Sequence, residues 1–174
     1  MTVLDAREVA GRAVTEYGAV QHPWELAAVL DLLAARPPGL ILEIGCWSGG
    51  GLYAWRAVCP EVIGLTLPEY GNVLRSHGTE IVWADSRRAR DPLLDQLAGR
   101  IPGFVFIDGD HSYEVVMSDW KLARDIAPGA VIGFHDITHP DYPGVARAWA
   151  EVRPGHPSIE IIHPDGMGTG LVFT

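Results

Sequence analysis

Residues 40–51 read LILEIGCWSGGG, an apolar run that passes directly into a glycine-rich turn. Short apolar runs bounded by turn residues are typical of buried parallel strands. A helix-like segment follows the glycines, so the stretch predicts a strand, a tight turn and a helix. In a doubly wound sheet such a turn lies at the carboxyl ends of the strands, where ligands bind. Glycines let the backbone approach a ligand closely, and amides at the start of a helix offer hydrogen-bond donors.

Apolar and amphipathic segments alternate along most of the chain. Further strand-like runs cover residues 62–65, 80–83, 103–107 and 130–134. Apolar residues at helical spacing predict helices from Pro23 to Ala35 and from Ser112, an N-cap candidate, to Ala127. Strands that alternate with helices indicate βαβ units and an α/β fold with a doubly wound, mostly parallel sheet.

The C-terminal part departs from this alternation. After a predicted helix near 144–151, two β-rich runs at 158–162 and 169–174 are joined by residues 163–168, which read HPDGMG. A short link rich in turn residues suits an antiparallel pair, whereas parallel strands need a longer crossover. The sequence therefore predicts five parallel strands followed by a closing antiparallel hairpin.

Length and composition narrow the class of protein. The chain has 174 residues with 13 basic and 22 acidic side chains, a formal net charge of −9. This charge argues against nucleic acid or an anionic membrane as a partner. The length suits one domain over 1–174, with N-terminal helices over about 1–36 and the core over 37–174. We expect no signal peptide, no membrane span and no disulfide framework, and hence a cytoplasmic protein.

The spacing of the glycines distinguishes between kinds of nucleotide-binding loop. The dinucleotide fingerprint G-x-G-x-x-G needs a glycine at position 47, which is tryptophan here, and the loop lacks the lysine of a P-loop. A turn without a ligand is the alternative, but four glycines within residues 45–51 favour a binding loop. The pattern E-x-G-x-x-x-G from Glu43 to Gly49 resembles the first motif of class I S-adenosylmethionine-dependent methyltransferases. That family has a Rossmann-like, seven-stranded sheet ending in an antiparallel hairpin.

Two further stretches narrow the resemblance. Residues 106–113 read FIDGDHSY and residues 128–136 read PGAVIGFHD. With QHPWEL at 21–26, they are similar to the small-molecule O-methyltransferases grouped with macrocin O-methyltransferase and cephalosporin hydroxylase (methyltransferase family 24). The resemblance covers nearly the whole chain. It implies an S-adenosylmethionine-dependent O-methyltransferase that acts on a small-molecule hydroxyl of the sugar or polyketide type.

The resemblance also implies which residues bind the cofactor. The glycine loop and the fourth strand would supply Gly45, Cys46, Trp47, Ser48, Gly49 and Asp108. Glu43 would orient the loop or hydrogen-bond near the amino-acid part of the cofactor. Asp85 and Ser86 match the place where the family contacts adenine.

The second strand departs from the family pattern. It ends at Thr66, where the family normally has an acidic residue that holds both ribose hydroxyls. A threonine hydroxyl makes one such hydrogen bond without the charge of a carboxylate, so cofactor affinity should be affected. Glu69, three residues further on, is the candidate to substitute.

Acidic and histidine residues follow the fourth and fifth strands. Asp108 and the pair His135-Asp136 should project into one crevice, because carboxyl ends of parallel strands share one edge of the sheet. Solvated loop carboxylates, or a His–Asp pair that stabilises a loop, are the alternative. The resemblance implies a divalent cation on Asp108 and Asp136, with a donor from position 135. Mg²⁺ prefers oxygen ligands, whereas an imidazole at position 135 would also admit Mn²⁺ or Fe²⁺.

His111 is the candidate general base, with Asp108 beside it as the second catalytic residue. A hydroxyl bound to a cation has a lowered pKa, and an imidazole can accept its proton at neutral pH. A helix N-terminal residue bonded to the backbone is the alternative role for His111. Asp110 is expected to orient His111 or to cap the helix, and His139 and Asp141 are weaker candidates for the base.

Other conspicuous residues have structural interpretations. Three arginines between positions 87 and 90 are expected on a solvated turn, and Cys46 has no nearby base that would make it a nucleophile. Trp24 and Trp47 should border the cofactor crevice. The remaining tryptophans within predicted elements are expected in the core: Trp55, Trp83, Trp120 and Trp149.

Two other functions are compatible with parts of the sequence. The first keeps the fold without methyl transfer, as an oxygenase-like relative of cephalosporin hydroxylase or a degenerate cofactor-binding protein, and Thr66 and His135 motivate it. The second, a protein-interaction domain, leaves the glycine loop and the acidic cluster unexplained. Because the core takes nearly all of the length, acceptor specificity should come from the first twenty residues, short loops or a neighbouring subunit of a homo-oligomer.

Overall fold

One seven-stranded sheet runs through the computed structural model, which describes residues 4–174. In chain order the strands are β1 (Ile41–Ile44), β2 (Val62–Thr66), β3 (Glu80–Trp83), β4 (Phe104–Ile107), β5 (Val131–His135), β6 (Ser158–Ile161) and β7 (Thr169–Phe173). Across the sheet their order is β3-β2-β1-β4-β5-β7-β6. The first five strands pair in parallel, and β7 is antiparallel to both β5 and β6. The predicted fold class and closing hairpin are confirmed.

Helices cover both faces of the sheet. Within the described residues they are α1 (Ala6–Thr15), α2 (Pro23–Ala35), α3 (Gly50–Arg56), α4 (Arg90–Leu97), α5 (Tyr113–Ile126) and α6 (Pro143–Val152). The core on one face contains residues of α1–α3, and the core on the other contains residues of α4–α6. Short 3-10 helices occupy Pro68–Asn72, Ser86–Arg88 and Arg153–Gly155. None of the helices between residues 4 and 174 has the length and apolar character needed to cross a bilayer.

The strand order places a crevice next to β1. β2 lies on one side of β1 and β4 on the other, so the connections that leave these strands diverge above the sheet. Backbone hydrogen bonds extend the ladder by one residue at this point. Gly45 N donates to Leu65 O, and Asp108 N donates to Ile44 O, both at 2.8 Å. The glycine loop and the loop after β4 therefore begin side by side.

The start of α5 differs in one respect from the expectation. Ser112 occupies the N-cap position, but its side chain makes no capping hydrogen bond with the described residues. Asp110 Oδ1 instead accepts a hydrogen bond from Ser112 N at 2.7 Å. Of the two roles expected for Asp110, the structure thus shows the one that holds the turn into the helix.

Three of the four tryptophans expected in the core are buried there. Trp55, Trp120 and Trp149 are all at most 6% exposed. The prediction is wrong for Trp83, which is 46% exposed. Trp83 ends the edge strand β3, and its ring lies against Gly71 of the 3-10 segment rather than under a helix.

Candidate active site

Two adjoining cavities open at the carboxyl ends of the parallel strands. The smaller, of about 240 Å³, is lined mainly by residues that end or follow β1–β4. The larger, of about 510 Å³, is lined by residues 18–21, the glycine loop and residues that follow β4 and β5. We call them the small and the large cavity. They share the following residues: Gly45, Trp47, Tyr70, Asp108, Gly109 and Asp110.

The glycine loop is packed too tightly for side chains at two positions. Gly45 has φ +89°, and a Cβ there would lie 2.2 Å from the backbone oxygen of Asp108. Gly49 has φ +91°, and a Cβ there would lie 2.1 Å from the backbone oxygen of Arg75. Glycine is therefore required at both positions by backbone conformation and by space.

Trp47 borders both cavities, in line with the prediction that it lies at the edge of the crevice. It is 54% exposed and lines the small and the large cavity. Its ring meets Tyr70 edge to face with 5.3 Å between the centroids. Trp24 does not share this position, because it lies exposed beside His163 and lines neither cavity. The expectation that Trp24 borders the crevice is wrong.

Glu43 lies buried beneath the start of α3. Its Oε1 accepts a hydrogen bond from Trp55 Nε1 at 3.0 Å, and Oε2 has no partner within residues 4–174. A Cβ on Gly51 would lie 1.9 Å from Oε1, so the helix backbone rests directly on the carboxyl group. Burial raises the pKa of Glu43 to about 8. This arrangement favours the loop-orienting role among the two that were predicted.

Ser48 and Cys46 both make contacts within the protein. Ser48 Oγ lies 2.9 Å from Tyr17 O and 2.7 Å from Gly18 O, so its hydroxyl hydrogen-bonds the glycine loop to the segment that precedes α2. Cys46 is buried, with Sγ 3.6 Å from Leu65 O. Burial raises the pKa of the Cys46 thiol, which agrees with its interpretation as a residue that is not a nucleophile.

The small cavity contains the polar residues predicted to contact the nucleoside. Thr66, Asp85 and Ser86 all line it. Arg87 Nε donates to Asp85 Oδ1 at 2.9 Å, and this hydrogen bond lowers the pKa of Asp85 to about 2. Glu69 is exposed on the 3-10 segment and lines neither cavity, so the structure does not support it as a substitute for an acid at position 66.

The acidic and histidine residues after β4 and β5 converge as predicted. His135 Nδ1 lies 3.1 Å from Asp108 Oδ1 and 3.2 Å from Asp136 Oδ2. One donor atom from each of the three residues lies within 4.8 Å of the others. Asp136 Oδ1 is buried and has no protein partner in the part of the chain described. Neighbouring ligands on an octahedral cation with bonds of about 2.1 Å lie roughly 3 Å apart, so these residues fit a divalent cation.

The electrostatics of this cluster favour a positive charge at its centre. Burial by itself would lower the pKa of His135, but the carboxylates of Asp108 and Asp136 outweigh it and raise this pKa to about 10. Burial also opposes ionisation of Asp136, but hydrogen bonds to His111 and His135 hold its pKa below the usual range. The two carboxylates thus accommodate either a proton on the imidazole or a metal ion.

His111 lies beside the cluster with a fixed orientation. Its Nε2 is 3.0 Å from Asp136 Oδ2. Since an ionised carboxylate only accepts hydrogen bonds, Nε2 carries the proton and Nδ1 is left to accept one. The His111 ring stacks on Tyr142 at 3.9 Å between centroids, and Tyr142 stacks on His139 at 4.1 Å. Of the two weaker candidates for the base, Asp141 is exposed and lines neither cavity, whereas His139 lines the large cavity together with His111.

A family model matches this chain over the residues that build the site. The model of the methyltransferase domain of family 24 covers residues 42–137, more than half of the chain. The chain belongs to this family. It is an S-adenosylmethionine-dependent methyltransferase, as the glycine loop and the two longer motifs predicted. A search of curated proteins found no match.

Solved structures of the methyltransferase fold resemble it along its whole length. Cofactor-bound Rv0187 from MTB has a TM-score of 0.67 and 23% identity, with 97% of this chain and 87% of that chain covered. The O-methyltransferase TomG from Streptomyces achromogenes, in complex with SAM, has a TM-score of 0.65 and 22% identity, with 99% and 91% covered. MycE, in complex with Mg, SAH and mycinamycin VI, has a TM-score of 0.69 and 18% identity, with 98% and 54% covered.

The sequence did not indicate several side chains in and around the large cavity. Gln21, Tyr142 and Met167 line the large cavity, and Glu25 lies buried behind it. The segment 21–26 carried part of the family resemblance, which was the only signal available for Gln21 and Glu25. Nothing in the local sequence indicated that Tyr142 stacks on His111.

Proposed function

We propose that this methyltransferase transfers the methyl group of S-adenosylmethionine to a hydroxyl of a small molecule and that it requires a divalent cation. One observation carries the proposal. Donor atoms of Asp108, His135 and Asp136 converge beside His111, where the two cavities meet. A cation-binding cluster next to a potential base suits deprotonation of a hydroxyl. The family match favours methyl transfer over the oxygenase-like alternative.

The small cavity is the proposed site of the nucleoside part of the cofactor. Thr66 would bond the ribose, and Asp85 with Ser86 would contact adenine, because all three line this cavity. The amino-acid part would extend along the glycine loop, with its methyl group near the wall that contains Asp108. This placement leaves the large cavity for the acceptor.

The chain's own residues supply the proposed proton transfer. A bound divalent cation would be held by Asp108, His135 and Asp136 and would lower the pKa of an acceptor hydroxyl. His111 Nδ1 accepts that proton while Nε2–H donates to Asp136, which fixes the tautomer of the ring. Tyr142 holds the imidazole plane by stacking. S-adenosylmethionine, when bound, would supply the methyl group to the deprotonated acceptor oxygen and would leave as S-adenosylhomocysteine, so that the acceptor becomes a methyl ether.

The large cavity favours an acceptor with apolar or aromatic surface. Val20, Trp47, Tyr142 and Met167 contribute apolar or aromatic walls, and His139 lies at its edge. Residues 18–21 form one side of this cavity, so the end of the first twenty residues would take part in acceptor specificity. Sugar and polyketide hydroxyls remain the proposed acceptors.

Calorimetry and methyl transfer test the two parts of the proposal. S-adenosylhomocysteine should bind, and Mg²⁺ or Mn²⁺ should bind to the wild type but not to Asp136→Asn. Asp141→Asn is the matched control, since this exposed carboxylate lies five residues further along the chain and outside both cavities. With methyl-labelled cofactor and a panel of sugar and polyketide hydroxyls, His111→Ala should lose transfer but keep both ligands. Full transfer by His111→Ala would exclude His111 as the base, and transfer in EDTA would exclude the cation.

A further inference from the structure

Gln21 is a buried polar side chain in the wall of the large cavity. It is 5% exposed and lies just before α2. Its Nε2 donates a hydrogen bond to Asp108 Oδ2. The other oxygen, Asp108 Oδ1, faces His135 Nδ1 at 3.1 Å. The amide therefore occupies one carboxylate oxygen and turns the other towards the cluster.

We infer that Gln21 is a positioning residue of the cation site, and this inference rests on the proposed function. A ligating carboxylate is itself hydrogen-bonded in metal sites, and loss of such an outer partner weakens metal binding. Gln21 supplies that partner to Asp108. An amide suits the role because it donates to the carboxylate without adding a negative charge that would compete for the cation.

The second polar atom of Gln21 supports the same assignment. Gln21 Oε1 is buried and has no hydrogen-bond partner among residues 4–174. A buried carbonyl oxygen is stabilised only when a donor reaches it. Mg²⁺ and similar ions keep several of their waters when bound by few protein ligands, and these waters are donors. Gln21 Oε1 would therefore accept a hydrogen bond from a water of a bound cation, while Nε2 donates to the carboxylate of Asp108.

The segment directly before Gln21 packs against the glycine loop. The Ser48 hydroxyl lies within hydrogen-bond distance of the carbonyl groups of both Tyr17 and Gly18 and donates its one proton to this pair. Ala19 packs against Gly50 so closely that a Cβ on the glycine would lie 2.2 Å from Ala19 N. The backbone that leads into Gln21 is therefore held by the glycine loop, and the hydrogen bond to Asp108 directs the side chain, as expected of a group that orients a metal ligand.

Manganese binding tests the inference without any acceptor. Mn²⁺ is titrated into the apo-protein and followed by the loss of the free-ion signal in electron paramagnetic resonance. Gln21→Met keeps the length of the side chain and removes both polar atoms, so it should weaken Mn²⁺ binding about 10–100-fold. Gln96→Met is the matched control, because Gln96 Nε2 donates to Glu80 Oε2 at 2.8 Å outside both cavities. It should leave Mn²⁺ affinity within about twofold of the wild type, since it changes no contact of the cluster.

Further measurements separate positioning from a general structural role. S-adenosylhomocysteine affinity in cation-free buffer should change little in Gln21→Met. Equal Mn²⁺ affinity of this variant and the wild type would overturn the inference and leave the cation site standing. Parallel loss of S-adenosylhomocysteine binding and Mn²⁺ binding would overturn it as well. If the wild type binds no Mn²⁺, the cation part of the proposed function fails and the inference fails with it. If Gln21→Met does not fold, Gln21→Ala is measured with the same expectations.

Discussion

Glu25, in the first turn of α2, holds the backbone amide of Gly168 with both carboxylate oxygens, at 3.2 Å from Oε1 and 3.1 Å from Oε2. Gly168 O in turn accepts a hydrogen bond from Ile137 N at 3.2 Å, directly after Asp136. Met167, the residue directly before Gly168, lines the large cavity. A buried carboxylate in the N-terminal part of the chain thus fixes the connection between β6 and β7 next to Asp136.

Glu25→Gln should destabilise the folded protein. Glu25 is 0% exposed and also accepts a hydrogen bond from His163 N at 2.8 Å. Glutamine retains only one acceptor oxygen and brings an NH₂ group against a backbone amide. We expect a loss of about 1–3 kcal/mol in the free energy of unfolding, measured with urea, because buried amides lose their acceptor. Asp31→Asn, on the exposed side of α2, should change stability by less than about 0.5 kcal/mol. Equal effects of the two substitutions would contradict the prediction.

Gly45→Ala should weaken cofactor binding for a steric reason. Gly78 is the matched control, because it also has positive φ, +77°, but a Cβ there would meet nothing within 4 Å. Gly78→Ala should therefore lower the free energy of unfolding by only about 1–2 kcal/mol, which is the cost of a side chain in the left-handed backbone conformation. Gly45→Ala adds a clash with the backbone of Asp108 and should reduce S-adenosylhomocysteine affinity by more than about tenfold, or about 1.4 kcal/mol, in calorimetry. Wild-type affinity of Gly45→Ala would show that the loop adapts.

Glu43→Gln should change how stability depends on pH. Burial raises the pKa of Glu43 to about 8 from an ordinary value of 4.5. Between these values the folded protein keeps a proton that the unfolded chain has released, so the contribution of Glu43 to stability falls as pH rises. Glutamine keeps the acceptor for Trp55 and does not ionise. The stability of Glu43→Gln relative to the wild type should rise between pH 5 and pH 8, by a few kcal/mol in order of magnitude.

Urea unfolding at the two pH values provides the measurement for position 43. Glu69→Gln serves as the control, since Glu69 is an exposed carboxylate outside both cavities. Its stability relative to the wild type should stay constant over the same range. A constant difference for Glu43→Gln as well would mean that the carboxyl group is ionised in the folded protein at pH 5.

Structural features that follow from local sequence patterns and from the alternation of strands and helices could be predicted. The turn after β1 was predictable because the glycines required by the backbone lie next to the strand that precedes them. The convergence of Asp108 and Asp136 followed from parallel strands that end at one edge of the sheet. These features needed only the alternation of strands and helices.

Contacts between distant segments were not predictable in the same way. Gln21 and Asp108 lie 87 residues apart, and Glu25 and Gly168 lie 143 apart. No spacing rule connects such pairs. The exposure of Trp83 depends on β3 being the edge strand, which is a property of strand order across the sheet. Glu69 was expected near the ligand because it lies only three residues after Thr66 in the sequence. The 3-10 segment that contains it leaves its side chain exposed and outside both cavities.

Substitutions of Thr66 test whether this position binds the ribose. Thr66 is 5% exposed and lines the small cavity beside Asp85. Thr66→Val keeps the shape and removes the hydroxyl, so S-adenosylhomocysteine affinity in calorimetry should fall about 3–10-fold, the equivalent of one hydrogen bond. Unchanged affinity of Thr66→Val would mean that the hydroxyl does not contact the ligand.

Thr66→Asp should have the opposite effect on affinity together with a cost to the ligand-free protein. An aspartate carboxylate accepts hydrogen bonds from both vicinal hydroxyls of a ribose, and charged acceptors bind roughly twice as strongly as neutral ones. Without ligand, the buried carboxylate is unpaired and adds negative charge beside Asp85 and Asp108, so the melting temperature should fall. Saturating S-adenosylhomocysteine should then raise the melting temperature of Thr66→Asp by more than that of the wild type, because stabilisation by a ligand increases with its affinity. A smaller ligand-induced rise than in the wild type would place the ribose hydroxyls elsewhere in the small cavity.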